Sequence, residues 1–159
     1  RDCRRWARLV SRLGARRVST SWDFGWHPSL WRARGFRVLL RSVDYLFVNE
    51  AEARLYSGMH RDRAAAAFWK RTARNTVIKL GARGSRLVGK GIDVSAPAPR
   101  VRAVDTTGAG DAFNGGFLWG LLEGQSPREC LRVGNLVGAR STLAAGGIIS
   151  LPTRPIRPV

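Results

Sequence analysis

Asp105-Thr106-Thr107-Gly108-Ala109-Gly110-Asp111 opens a helical run that extends to about Glu123. Gly108, Ala109 and Gly110 let backbone come close to a ligand, and glycine tolerates the tight turn. A helix starting here points its first, unpaired amides outward, at the positive end of the helix dipole. That arrangement favours a phosphate. Asp111 falls in the first turn, where the same field favours its ionised form. A carboxylate beside a phosphate cradle is what transfer to a hydroxyl requires. It takes the hydroxyl proton while the amides absorb charge on the moving phosphoryl group. The structural alternative is a small-residue helix lying close on a sheet, and Gly115, Gly116 and Gly120 are assigned to such packing. A dinucleotide fingerprint is excluded, because Phe113 stands three residues after Gly110. A Walker loop is excluded too, because Gly115 precedes Gly116 and Lys90 precedes Gly91.

Working outward, Pro127–Leu143 reads as a further helix started by Ser126 or Pro127, and the proline-bearing tail 151–159 as an irregular end. Upstream, Asn75–Leu80 and Ser85–Val88 flank Gly81-Ala82-Arg83-Gly84, the pattern of a hairpin. Gly89–Val104 is extended, and Pro97 and Pro99 mark it as an edge or a loop. Val18–Phe24 and Val43–Val48 read as strands, the second running into Asn49-Glu50-Ala51-Glu52. Glu50–Tyr56 has helical character closed by Gly58. Asp62 is placed to cap a helix over Arg63–Arg74. The first helix carries Trp6, Leu9, Val10 and Leu13 as its expected buried stripe, with Gly14 as a stop. Its arginines also give it the look of an organelle transit peptide, against which Asp2 counts. Strands alternating with helices indicate an α/β layered domain.

The 159 residues carry a formal charge of +17, with 25 arginines and three lysines. Such a field attracts polyanions, nucleotides and sugar phosphates among them. The arginines are spread along the whole chain, so a dedicated nucleic-acid face ranks last among the readings. No run reaches the length of a membrane-spanning helix. Two cysteines, Cys3 and Cys130, exclude a disulfide-dense scaffold, and with two histidines they show no four-ligand zinc site. A reducing, cytoplasmic setting fits, with a single disulfide left open. The chain opens at Arg1, in what reads as the middle of a helix, so a missing amino-terminal portion is expected.

Asp105-Thr106-Thr107-Gly108-Ala109-Gly110-Asp111-Ala112-Phe113-Asn114-Gly115-Gly116-Phe117 closely resembles the carboxy-terminal signature of PfkB-type carbohydrate kinases, the ribokinase-like family. Asn49-Glu50-Ala51-Glu52 resembles the family's Asn-x-x-Glu element. Lys79-Leu80-Gly81-Ala82-Arg83-Gly84-Ser85 is similar to its strand-turn near the nucleotide. Order and spacing agree, so the resemblance covers about residues 18 to 152. It implies the carboxy-terminal portion of a ribokinase-like layered α/β sandwich over residues 1–159, with the central sheet incomplete and the lid absent.

The activity implied is ATP-dependent phosphorylation of a sugar hydroxyl. Asp111 matches the family's catalytic base, and Gly108, Ala109 and Gly110 match its anion hole. Asn49 and Glu52 match the element that organises Mg²⁺, largely through water. Asp105 and Thr107 match positions that help bind a monovalent cation such as K⁺. Lys79, Gly81 and Gly84 fall where the family lines the nucleotide site, and Asn135 falls in the helix flanking the adenine. Nucleotide and sugar are the implied partners, and a homodimer of the full-length enzyme is compatible with them.

Two departures stand out. The amino-terminal half, which in the family supplies the sugar-binding strand and the lid, is missing, so the isolated chain is expected to be inactive. At Asp23-Phe24-Gly25-Trp26-His27, Gly25 and His27 replace the Asn and Arg of the family's Asp-x-Asn-x-Arg. The alternative function is an inactive, kinase-like nucleotide-binding remnant. Read without the resemblance, Glu50 and Glu52 are solvated residues of a first helical turn and Asn135 a satisfied polar helix residue. His27 is then a turn residue, His60 is exposed, and Trp22, Trp26, Trp31, Trp69 and Trp119 are core or interface aromatics.

Overall fold

The computed structural model describes residues 2–147, Ile149 and Leu151, and the proline-bearing tail beyond lies outside the described residues. Eleven named elements occur among them: α1 (Cys3–Ala15), β1 (Ser21–Asp23), α2 (Phe36–Ser42), β2 (Tyr45–Asn49), α3 (Glu50–Ser57), α4 (Asp62–Thr72), β3 (Asn75–Lys79), β4 (Ser85–Gly89), β5 (Ile92–Ala96), α5 (Ala109–Leu122) and α6 (Pro127–Ser141). The strands form one sheet in the order β1-β2-β3-β4-β5. The chain divides into two compact units, Arg1–Ile78 with Leu87–Asp93, and Lys79–Arg86 with Val94–Val159.

In the first unit β1 and β2 are parallel, with Ser21 opposite Tyr45 and Asp23 opposite Phe47. Parallel neighbours need a crossover, and α2 supplies it. α2 lies in a stretch, 25–42, to which the sequence reading assigns no helix or strand. Its buried residues Phe36, Leu39 and Leu40 nevertheless follow helical spacing. Leu46 to Val48 and Thr76 to Ile78 are buried without alternation, as strands covered on both faces are. The Trp69 indole, fully buried, donates to the Ala53 carbonyl oxygen at 3.1 Å and ties α4 to α3.

Four details differ from expectation. α1 buries Cys3, Ala7 and Val10, while Trp6 and Leu9 are exposed. The Arg4 backbone comes so close to Gly35 that only small side chains fit that face: a Cβ on Gly35 would lie 3.0 Å from the Arg4 nitrogen. α1 also has a proper start, since the Asp2 carboxylate accepts the Arg4 N–H at 2.9 Å. Asp62 is inside α4 and leaves its start uncapped; its carboxylate pairs with Arg54. Of the tryptophans assigned to core or interface, Trp69 is buried, and Trp26 and Trp31 are exposed.

The second unit is built on α5 against α6. Cβ atoms placed on Gly116 and Gly134 would lie 2.8 Å from Val137 and 2.9 Å from the Phe113 ring, and one on Gly120 would lie 3.2 Å from Cys130 Cα. Gly115, expected to serve the same purpose, faces open space. Cys3 and Cys130 are both free and buried, which raises both thiol pKa values. No helix among the described residues is long and apolar enough to cross a membrane. Gly116→Val should overfill the α5–α6 contact and lower unfolding stability by about 1–3 kcal/mol, whereas Gly115→Ala should not lower it. Urea melts of the two variants check this pair.

Candidate active site

The start of α5 is left open. Gly108 precedes it at φ +72°, a left-handed conformation that glycine adopts at little cost, and no side chain caps this end. The Ala109 N–H turns back to the Thr106 carbonyl oxygen at 3.2 Å, and the Ala112 N–H reaches that of Gly108 at 2.9 Å. Among the described residues, the amides of Gly110 and Asp111 have no such acceptor. α6, in the same unit, has the usual remedy, because Ser126 Oγ accepts the Glu129 N–H. Asp111 is exposed in the first turn of α5, so the carboxylate and the two open amides share one face of solvent.

Asp105 holds the approach to this turn. One carboxylate oxygen accepts the Thr107 N–H at 2.8 Å and the other the Gly146 N–H at 2.9 Å. The Gly146 bond, then those from Thr107, hold its pKa down at about 2. Thr107 and Asp105, the residues matched to a cation site, are thus adjacent and exposed or half-exposed, with the Asp105 oxygens already fixed by backbone amides.

Beside the open amides lies a cavity of about 420 Å³. Lys79, Gly81, Gly84 and Asn135, assigned to the nucleotide, line it together with Ala109 and Gly110. Pro99, Val101 and Phe113 give it apolar walls. Asn135 shapes it by fixing its edge: the buried amide donates to the carbonyl oxygens of Ala96 at 3.0 Å and Pro97 at 3.2 Å. Gly84 accepts the same segment from the other side. At φ +101°, its missing Cβ would meet the Ala96 carbonyl oxygen and lie 2.7 Å from Pro97 Cα. The wall 98–103 carries no motif, and only the extended, proline-bearing pattern of 89–104 pointed to it.

Asn49 and Glu52 belong to the other unit and form a reciprocal cap on α3. Asn49 Oδ1 accepts the Glu52 N–H and Glu52 Oε2 accepts the Asn49 N–H, both at 2.8 Å. Glu52 is buried, unlike a solvated first-turn residue. Glu50 is the one that pairs outward, with Arg54. Among the described residues no cluster of three or more His, Cys, Asp or Glu could hold a metal ion. At the departure noted at 23–27, Asp23 accepts the Gly25 N–H at 2.9 Å and Tyr56 Oη accepts the His27 N–H at 3.0 Å. His27 is therefore a turn residue anchored by its backbone.

Two outcomes follow from this geometry. Asn135→Leu strips two carbonyls of their donor and should cost about 1–3 kcal/mol in denaturant melts. The Asp105 carboxyl titrates below its ordinary value of 3.8, so its tie contributes fully above that pH and is lost as pH falls through about 2. Amide shifts of Thr107 and Gly146 followed by NMR should show that low midpoint, and a midpoint near 3.8 would contradict the tie.

The sequence pattern described as "pfkB family carbohydrate kinase" matches residues 6–154. The chain is 37% identical over 122 residues to the ribokinase of Haemophilus influenzae, covering 73% of this chain and 40% of that protein. Its fold is similar to that of adenosine kinase from Sinorhizobium meliloti, with a TM-score of 0.82 and 27% identity over 91% of this chain and 46% of that one. It is similar also to Arabidopsis thaliana ribokinase complexed with ribose and ATP, with a TM-score of 0.74 and 30% identity over 92% of this chain and 47% of that one. The chain thus spans less than half the length of each of these three proteins. With a match that runs nearly from end to end and a ribokinase-like α/β fold, the chain belongs to the pfkB family of carbohydrate kinases.

Proposed function

We propose that this chain contributes the nucleotide site and the catalytic base for transfer of the terminal phosphoryl group of ATP to a carbohydrate hydroxyl. The observation that carries the reading is the turn itself: two open amides and the Asp111 carboxylate at the start of α5, beside the cavity. The cavity falls within the range of about 300–1,000 Å³ usual for small-molecule sites. Its apolar walls suit a flat base, and the amide edge suits phosphate. In the reaction Asp111 takes the proton of the acceptor hydroxyl as its oxygen forms the new bond to phosphorus. The bond to the bridging oxygen breaks and ADP leaves, while the Gly110 and Asp111 amides stabilise charge on the transferred group.

Mg²⁺ would supply charge neutralisation to a phosphate, and Asn49 and Glu52 would hold it through water, since Asn49 Oδ1 and Glu52 Oε2 are used in the cap of α3. Asp105 and Thr107 would hold a monovalent cation through lone pairs that the two amide bonds leave over.

A second reading is a nucleotide-binding module without turnover. Positioning an acceptor is worth about 7–11 kcal/mol of barrier, and nothing among the residues described above is assigned to that task. Calorimetry with ATP, and transfer assays with ribose, fructose and 2-dehydro-3-deoxygluconate, separate the readings. ATP should bind. Transfer to any of these acceptors should fall about 10²–10⁴-fold in Asp111→Asn, with nucleotide affinity little changed. Binding with no transfer supports the second reading. Absence of ATP binding refutes both.

A further inference from the structure

The wall at 98–103 is pinned to α6 at both ends. Asn135 donates to the carbonyl oxygens of Ala96 and Pro97. The Thr142 carbonyl oxygen accepts the Val104 N–H at 2.7 Å and the Asp105 N–H at 3.2 Å. Seven residues separate Asn135 from Thr142, and seven separate Pro97 from Val104. A helix advances about 10 Å over that length, whereas an extended chain reaches about 23 Å. The wall, which forms neither helix nor strand, therefore bows away from α6 as an arch. The cavity lies between the two, with Asn135, Gly138 and Thr142 on one side and Pro99, Arg100 and Val101 on the other.

Arg100 stands near the middle of the arch. It lines the cavity and is exposed, which places it at the mouth. Arg4, Arg54, Arg74 and Arg132 each pair with a carboxylate, but Arg100 has no hydrogen-bond or ion-pair partner among the described residues. No Asp or Glu lines the cavity. Arg100 belongs with Pro99 and Val101 to the apolar wall, and not to the amide edge of Ala109 and Gly110. A guanidinium is planar and stacks on aromatic faces. Arg32 does so elsewhere in this chain, 4.7 Å from the centre of the Trp31 ring.

We propose that Arg100 is a binding residue for the nucleobase, its guanidinium covering the flat ring at the cavity mouth by cation–π stacking. This rests on the nucleotide reading above. It separates the two ends of the ligand: the amides of α5 receive phosphate, and the crown of the arch receives the base.

The test is calorimetric titration of the chain and its variants with ATP and with adenosine. Arg100→Ala should weaken both ligands by the same factor, about two- to fivefold, the worth of an exposed cation–π contact. Arg100→Lys keeps the charge without the planar face and should restore little of that loss. Arg102→Ala removes the same charge from the same arch at an exposed position outside the cavity lining, so it should leave both affinities unchanged. Both arginines are exposed, and thermal melts of the variants should match the parent. The lysine and Arg102 comparisons are made with ATP, so they decide the matter even where adenosine binds too weakly to titrate. A loss seen with ATP and absent with adenosine, or one that lysine restores in full, would indicate a phosphate contact and overturn the stacking. Equal effects of Arg100→Ala and Arg102→Ala would reduce it to net charge and overturn it too. An Arg100→Ala chain that binds ATP as the parent does would leave the residue without this role. Failure of the parent chain to bind ATP would instead remove the nucleotide reading and this one with it.

Discussion

The function proposed for this chain depends on a helix that begins without a cap. An uncapped start is a cost, because each amide left without an acceptor forfeits a hydrogen bond it would otherwise make. Here that cost is localised at Gly110 and Asp111, on an exposed turn where water or an anion can satisfy them. The surrounding structure maintains the arrangement. Gly108 turns the chain into α5, Asp105 ties the preceding loop to Gly146, and Gly138 lets α6 lie within 3.1 Å of the Ala109 carbonyl oxygen, measured from a Cβ it lacks. A donor pair held this way is ordered during folding, which is what the proposed phosphate site requires.

The cavity follows the same logic of fixed backbone. Its far wall is loop, and Asn135 grips the carbonyls of Ala96 and Pro97 where that wall leaves β5. Gly84 gives way to the same two residues from the strand-turn side. Asn135 is thus explained by its backbone partners, and it lines the cavity.

The start of α5 was legible in sequence because helix starts and glycine turns are governed by contacts a few residues apart. The helix over Glu50–Tyr56 was legible for the same reason, but its reciprocal Asn49–Glu52 cap was not, and it buries Glu52 where solvation was the plainer expectation. Faces were harder to read. Trp6 and Cys3 are both candidates for the buried side of α1 by spacing, and only the close pass of Gly35 decides between them. α2 escaped notice because Arg37 and Arg41 break up its short apolar pattern. The cavity wall at 98–103 is set by contacts from Gly84 and Asn135, and Lys79 meets Asn114 across 35 residues, and no local rule encodes either.

Family membership and a phosphate-ready turn together make a narrow claim about where the charge of a nucleotide is received. Backbone amide resonances of the isotopically labelled chain, recorded with saturating ATP and with saturating adenosine, test it most directly. The account requires the Gly110 and Asp111 amides to shift strongly with ATP and far less with adenosine. Equal response to both ligands, or no response at these two amides while others move, would contradict it.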